Sequence, residues 1–164
     1  FRSDDVTVLA LRYIASRRVA SFEITLPMHT GDTLSESVVT DVSVANERFA
    51  EFAREGGVSD DAVQRAQVAM DEILANSATY SGASAIVVRA WLGKATVTME
   101  ISDDGAPYNP LEVPTPDVDV PLEEREVGGL GMHLVRNLMT TVTYGFVGGR
   151  NVLTMTVAFD SEAS

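Results

Sequence analysis

The sequence predicts one two-layer α/β sandwich, with helices on one face of a mixed, mostly antiparallel sheet. Three observations lead to this fold class. Apolar residues alternate with polar ones in the first strand segment and recur at helical spacing in two long segments. The predicted order is strand, two helices, two strands, a long loop, one helix and two strands, which suits helices packed on a sheet. Hydrophobic residues make up 45% of the 164 residues, enough for a sizeable core.

The first half of the domain is predicted as one strand and two helices. The strand covers residues 21–26 and ends at Pro27. The first helix covers about residues 33–55, where apolar side chains recur every three or four residues before a Gly pair ends it. The second helix follows Ser59 or Asp60, either of which can be its N-terminal cap, and runs to about Tyr80.

Two strands and a long loop follow. Residues 84–92 and 95–101 form the strands, joined by a Gly-Lys turn that is typical of a hairpin. Residues 106–127 show little periodicity, hold five of the six prolines and are rich in acidic side chains opposed only by Arg125. A loop of this length in a compact domain is a functional lid or a disordered segment.

The last predicted elements are one helix and two strands. The helix covers residues 130–139 and opens directly after a run of glycines. The strands cover residues 141–147 and 151–159 and are joined by a Gly-Gly-Arg turn.

Composition excludes several classes of function. The chain has 24 acidic and 12 basic residues and a net charge of −12, which argues against a nucleic-acid-binding surface. Without cysteine there are no structural disulfides, zinc-thiolate sites or thiol nucleophiles, and His29 and His133 are too few for a histidine-rich metal site. No apolar run approaches a membrane span and no signal peptide opens the chain, so we expect a cytoplasmic protein without membrane contact.

A carboxylate and an amide share one face of the second predicted helix. Glu72 and Asn76 are four residues apart, so their side chains project from the same side, away from the centre of the apolar stripe. A carboxylate there can orient a hydroxyl or a water, and an amide oxygen can complete the shell of a magnesium ion that also holds phosphates. Alone, such a pair is more often a solvated helix face.

Two further motifs follow in a fixed order. Asp103-Asp104-Gly105 comes directly after a predicted strand, and Gly129-Leu130-Gly131 opens the third predicted helix. Alone, the first is most often a turn and the second a flexible helix entry. Their order after the Glu/Asn pair, with the long acidic loop between them, is much more specific than any one motif.

Together these motifs resemble those of the GHKL family of ATP-binding domains, and most of all the bacterial anti-sigma-factor serine/threonine kinases of the RsbW and SpoIIAB type. Residues 72–76 are similar to the family's N box, residues 103–105 to the start of its first glycine box and residues 129–131 to its second. The resemblance covers about residues 21–159 and implies the Bergerat ATP-binding fold.

The resemblance implies roles for the matched positions. Asn76 would hold the magnesium ion that bridges the phosphates of ATP, and Glu72 would act as general base or orienting carboxylate for the attacking hydroxyl. Asp103 would accept a hydrogen bond from the exocyclic amine of adenine, and Gly105 would let the backbone approach the base. The residues implied at the phosphates are Gly129, Leu130 and Gly131, at a helix N-terminus that attracts anions.

The function implied is an anti-sigma factor kinase that phosphorylates a STAS-type anti-sigma factor antagonist and binds a sigma factor in the competing state. Relatives suggest a homodimer. Pro107 stands where the family often has a second glycine, and it resembles variants of the sigma-regulator branch. Arg125 can contact the γ-phosphate of ATP, although a solvated side chain is the simpler interpretation.

The residues before the ATP-binding domain have a separate resemblance. The chain begins with Phe, so we expect it to be a fragment of a longer protein. Residues 3–12 resemble the last strand of bacterial PPM-type, SpoIIE-like serine phosphatases, in which the position of Asp4 binds a catalytic metal. We therefore predict a phosphatase tail at 1–15, a linker at 16–20 and a histidine-kinase-like ATP-binding domain at 21–160. A plain N-terminal strand is the alternative.

Three other functions remain open for the domain. An ATP-binding partner-switch module without phosphotransfer would fit all motifs except Glu72, which a pure binder does not need. A histidine-kinase catalytic domain is disfavoured because no phospho-acceptor helix precedes the domain. A protein that binds no nucleotide is the third.

Overall fold

The computed structural model describes residues 21–28, 36–112 and 130–160 of the chain. Within them, five strands and three helices are joined by loops and one short 3-10 turn, Pro110–Glu112. In chain order the elements are β1 (Ser21–Pro27), α1 (Glu36–Glu55), α2 (Asp60–Tyr80), β2 (Ala85–Leu92), β3 (Thr96–Asp103), α3 (Leu130–Leu138), β4 (Thr141–Val147) and β5 (Arg150–Ala158). Every predicted element that falls in these ranges is present.

The five strands form one sheet in the order β1-β2-β3-β5-β4. All four neighbouring pairs in this described sheet are antiparallel, so the mixed sheet expected from the sequence is corrected to an antiparallel one. The connections agree with this result. Hairpins join β2 to β3 and β4 to β5, and the two helices between β1 and β2 bring the chain back beside β1 in the opposite direction. The predicted α/β sandwich with helices on one face is confirmed.

The core lies between the sheet and the helices. Alternate side chains of β2, β3 and β5 are buried, which places one face of each strand against the helical layer. α2 lies between α1 and α3 in that layer. The largest fully buried side chains are Phe49, Met70, Leu74, Ile86, Met99 and Met155. In the described part of the chain, no helix is both long and apolar enough to cross a membrane.

The position of α2 is fixed at its start and along its length. Ser59 is its N-cap, as predicted, and accepts a hydrogen bond from the backbone N–H of Ala62 at 3.4 Å. Farther along, the Arg65 guanidinium donates to the backbone oxygens of Leu138, at the end of α3, and Ala158, at the end of β5. These bonds tie α2 to both α3 and the sheet.

The end of β3 is the element boundary that matters most for the position of Asp103. The sequence predicts that this strand ends at residue 101, but it continues through Ser102 and Asp103, which pair with Val152 and Asn151 of β5. Because these residues extend the ladder, the Asp103 side chain is that of a buried strand residue, 5% exposed. The predicted start of α1 at residue 33 and the segment 1–20 lie outside the described residues.

Candidate functional site

A cavity opens between α2, the neighbouring ends of β3 and β5, and the loop that follows β3. The space inside it measures about 460 Å³ when its open mouth is included. Ile73, Ile101 and Leu153 give it an apolar middle. Asn76 and Asp103, two of the predicted site residues, line the same cavity.

Asp103 presents one carboxylate oxygen to this cavity. Its Oδ1 accepts hydrogen bonds from the backbone N–H of Gly105 and from Nδ2 of Asn151, both at 2.9 Å. No hydrogen bond from any described residue reaches its Oδ2. A carboxylate only accepts hydrogen bonds, so the open oxygen suits a ligand group that donates one.

Asn151 donates a hydrogen bond to Asp103 and was not predicted from the sequence as a site residue. It is 7% exposed. Its Nδ2 also donates to the backbone oxygen of Ala106 at 2.9 Å, and its Oδ1 accepts from the backbone N–H of Tyr108 at 2.9 Å and from the hydroxyl of Tyr144 at 2.6 Å. Its signal in the sequence is an amide at the first inward position of β5, where the following inward residues are apolar.

Asn76 and Glu72 contact each other on α2, and both side chains are half-buried. Nδ2 of Asn76 donates to Oε1 of Glu72 at 3.1 Å. Because a carboxylate cannot donate, this bond fixes which end of the amide faces Glu72 and leaves Oδ1 of Asn76 as an acceptor. Glu72 itself is half-buried and is not among the residues that line the cavity.

The start of α3 packs directly against Glu72. A Cβ added to Gly131 would lie 1.6 Å from Oε1 of Glu72 and 2.1 Å from its Cδ, so any larger residue here requires the Glu72 side chain to move. The carboxylate therefore lies beside the first turn of α3, where the helix dipole favours negative charge. Leu130 begins the helix, is 53% exposed and does not line the cavity.

Gly105 is required by the helix on which it packs. A Cβ there would lie 2.2 Å from the backbone oxygen of Ser81, just past the end of α2. The preceding Asp104 holds the start of β2, since it accepts hydrogen bonds from the Ser84 hydroxyl and from the backbone N–H groups of Ser84 and Ala85. The Ser84 side-chain bond, followed by these backbone bonds, lowers the pKa of Asp104 to about 2. The Asp-Asp-Gly motif thus combines one residue facing the cavity with two that fix its wall.

Three tyrosines also line the cavity and were not anticipated from the sequence. Tyr80 comes from the end of α2 and is 73% exposed, while Tyr108 comes from the loop after β3 and is 53% exposed. Tyr144 is half-buried on β4. Exposed aromatic rings at the mouth of an apolar cavity suit a flat ring system.

The remaining predicted residues lie outside the site as it is described. Asp4, Gly129 and Arg125 fall outside the described residues, as does the greater part of the acidic loop. Over the described ranges, no group of three or more His, Asp or Glu side chains is placed to hold a metal ion.

Comparison with known proteins identifies relatives. Residues 36–157 match the family described as the histidine kinase-like ATPase domain. Over 91 residues the chain is 30% identical to the serine/threonine-protein kinase BtrW of Bordetella bronchiseptica, a match that spans 56% of this chain and 64% of BtrW.

The fold is also similar to that of a solved structure, which contains the RsbU and RsbW domains of Rv1364c from Mycobacterium tuberculosis. The TM-score is 0.54 at 15% identity, and the match covers 87% of this chain and 34% of that one. The chain therefore spans less than two thirds of the length of either relative.

Proposed function

The chain belongs to the family of histidine kinase-like ATPase domains, and from that premise we propose that it binds Mg-ATP and acts as an anti-sigma factor serine/threonine kinase. Its substrate is a STAS-type anti-sigma factor antagonist, and a sigma factor is the competing partner. The observation that carries the proposal is the presence of Asp103 and Asn76 in the lining of one cavity with an apolar middle.

The chemistry of the Asp103 end fits adenine. The open Oδ2 of Asp103 is an acceptor at the end of a buried strand, and the exocyclic amine of adenine is a donor. Apolar side chains and exposed tyrosines beside it suit the faces of the base.

The chemistry of the Asn76 end fits magnesium. Its Oδ1 is left as an oxygen ligand by the bond from Nδ2 to Glu72, and magnesium prefers oxygen ligands with several supplied by phosphates and water. Bound Mg-ATP supplies the phosphoryl group and the metal charge. The chain supplies Asn76 to hold the metal, the first turn of α3 with Leu130 and Gly131 near the phosphates, and Glu72 to orient and deprotonate the attacking hydroxyl.

The proposal extends to the whole protein. We assign residues 21–160 to the kinase domain, residues 16–20 to a linker and residues 1–15 to the tail of a PPM-type phosphatase, with Asp4 as its metal ligand, on the resemblance of the N-terminal motif. A homodimer in the cytoplasm is part of the same proposal. Gly129 is assigned to the phosphates together with Gly131, on the resemblance of the glycine motif.

A second function is favoured by one specific observation. Glu72 accepts a hydrogen bond from Asn76 and lies against α3, outside the lining of the cavity. A carboxylate held in this way is suited to supporting the fold around Asn76, as an ATP-binding partner-switch module without phosphotransfer requires.

Nucleotide binding is tested by thermal unfolding with and without Mg-ATP. At a hundredfold excess over Kd, binding stabilises the native state by about 2.7 kcal/mol, which is a rise in Tm of roughly 5–10 °C for a chain of this size. We expect a smaller rise in Asn76→Ala and Asp103→Ala and an unchanged rise in Asn137→Ala, which removes an exposed amide on α3. No rise in the wild-type protein at saturating nucleotide contradicts the proposal.

Phosphotransfer is tested with γ-labelled ATP and a STAS-type acceptor. Glu72→Gln keeps an oxygen acceptor for Asn76 but removes the base, so we expect binding to persist and transfer to fall by about 10²–10⁴-fold. Undiminished transfer in Glu72→Gln removes the catalytic assignment. No transfer by the wild-type protein, with binding retained, favours the partner-switch module.

A further inference from the structure

Asn151 is the most highly connected polar side chain in the wall of the cavity. Both N–H groups of its amide donate, to Oδ1 of Asp103 and the backbone oxygen of Ala106, and its Oδ1 accepts from Tyr108 and Tyr144. An amide offers two donors and two acceptor positions. All four are therefore used, at a residue that is 7% exposed.

We infer that Asn151 is a positioning residue that sets the base specificity of the cavity through Asp103. The inference rests on the proposed nucleotide function and adds to it a residue outside all the motifs found in the sequence. Because the four hydrogen-bonding positions of Asn151 are occupied by protein groups, it acts on a base through the carboxylate of Asp103 and not by direct contact.

The orientation of the Asn151 amide is fixed from the side opposite Asp103. The backbone N–H of Tyr108 and the hydroxyl of Tyr144 both donate to its Oδ1, at 2.9 and 2.6 Å. If the amide turned over, its NH₂ group would face the backbone N–H of Tyr108, which can only donate, and its oxygen would face a carboxylate and a carbonyl oxygen. This exchange is unfavourable in a buried position, so Nδ2 is held toward Asp103.

The carboxylate of Asp103 is oriented in turn. Asn151 and the backbone N–H of Gly105 both bind Oδ1, which places Oδ2 as the acceptor toward the cavity. A fixed acceptor favours a purine with an exocyclic amine at that position over one with hydrogen or a carbonyl oxygen there. A hydrogen bond to a charged group in a buried site corresponds to a preference of roughly tenfold to a hundredfold.

The order of the strands in the sheet, β3-β5-β4, explains why β4 matters to a site built on β3. Phe146 of β4 pairs with Asn151 of β5 in the sheet register, and Asn151 pairs with Asp103 of β3. The Tyr144 hydroxyl, which comes from the outermost strand, thereby fixes a group two strands away through one amide. Tyr144→Phe removes this hydroxyl and keeps the ring, so it tests the network with little change in packing.

The experiment compares Kd for Mg-ATP with Kd for the magnesium complex of purine riboside triphosphate, which lacks the exocyclic amine, by calorimetry. We expect the wild-type protein to prefer ATP by roughly ten- to a hundredfold. Asn151→Ala should lower this ratio to within about threefold, and Tyr144→Phe should lower it partly. Thr156→Ala, which removes an outward hydroxyl of β5 bonded to Thr98, is the matched control and should keep the ratio.

The ratio of the two Kd values distinguishes a loss of Asp103 positioning from a general loss of stability. An equal weakening of both nucleotides in Asn151→Ala and Tyr144→Phe, with the ratio unchanged, overturns the inference and leaves the proposed function standing. If Asn151→Ala does not fold, the ratio in Tyr144→Phe decides alone. A wild-type protein that binds neither nucleotide overturns the proposed function and the inference with it. In the background of Asp103→Ala, adding Tyr144→Phe should leave the ratio unchanged, and a further drop there also overturns the inference.

Discussion

An alanine at position 131 probes the contact between α3 and α2. The added methyl carbon would lie 1.6 Å from Oε1 of Glu72 and 2.1 Å from its Cδ, whereas ordinary contact begins at 3.4 Å. The carboxylate must therefore retreat by roughly 2 Å. Because the obstacle is the end of a flexible side chain, the fold can accommodate the methyl group, but the 3.1 Å hydrogen bond from Asn76 is lost.

The effects of Gly131→Ala on stability nearly cancel. Loss of a half-buried hydrogen bond destabilises by about 1 kcal/mol, and replacing a helical glycine with alanine stabilises by up to about 1 kcal/mol. We expect the free energy of unfolding to change by less than about 1 kcal/mol, with Tm within roughly 4 °C of the wild-type value. Phosphotransfer has no such compensation, and we expect it to fall by about 10²–10⁴-fold because the general base is displaced.

The assay follows transfer from γ-labelled ATP to a STAS-type acceptor at saturating nucleotide, with thermal unfolding measured in parallel. Gly145→Ala is the matched control, since its nearest atom, Cγ2 of Val147, is 3.6 Å from the added carbon. Transfer by Gly131→Ala within about twofold of the wild-type rate would refute the reasoning. An equal further loss in a Glu72→Ala background would refute it as well, because no carboxylate remains there to be displaced.

Three further predictions concern stability, each measured by urea unfolding. Gly105→Ala should lower the free energy of unfolding by about 1–3 kcal/mol, because its methyl group meets backbone 2.2 Å away that cannot swing aside; a loss below about 0.5 kcal/mol would contradict this. The Ser84 bond lowers the pKa of Asp104 to about 2, so its contribution is present above the unfolded pKa near 3.9 and is lost as the pH falls toward the folded value. Asp104→Asn should thus be less stable than the wild type at neutral pH, by a difference that shrinks toward pH 2; a constant difference would count against the assignment. Arg65→Ala should lower the free energy of unfolding by about 1–2 kcal/mol, since the Arg65 guanidinium donates to carbonyl oxygens at the ends of α3 and β5. An unchanged urea midpoint would contradict this prediction.

The fold was predictable where local pattern and tertiary packing agree. The alternation of apolar residues in strands and their helical spacing elsewhere predicted the elements. Ser59 marked the start of α2 because a cap bonds to backbone groups only a few residues away. The end of β3 was misplaced because Ser102 and Asp103 are polar, and only their pairing with β5 keeps them in the strand. Whether neighbouring strands run parallel or antiparallel depends on where the helical connections bring the chain back into the sheet. The spacing of hydrophobic residues along the sequence does not encode this.

The site was predictable only where its residues form a local motif. Asn76 and Asp103 were found in this way and both line the cavity. Asn151 was missed because its importance depends on a contact with Asp103 across the sheet, 48 residues away along the chain. Tyr144 was missed because it reaches Asp103 only through its hydrogen bond to Asn151. Gly131 was assigned by resemblance to the phosphates, whereas its contact with Glu72 depends on how α3 packs against α2.

The central claim is that one cavity holds adenine at Asp103 and magnesium at Asn76. A crystal structure of the protein with magnesium and a non-hydrolysable ATP analogue tests it most directly. We predict the exocyclic amine within roughly 3.2 Å of Oδ2 of Asp103 and a magnesium ion roughly 2.1 Å from Oδ1 of Asn76. A nucleotide bound outside this cavity, or one whose base and metal contact neither side chain, would contradict the account.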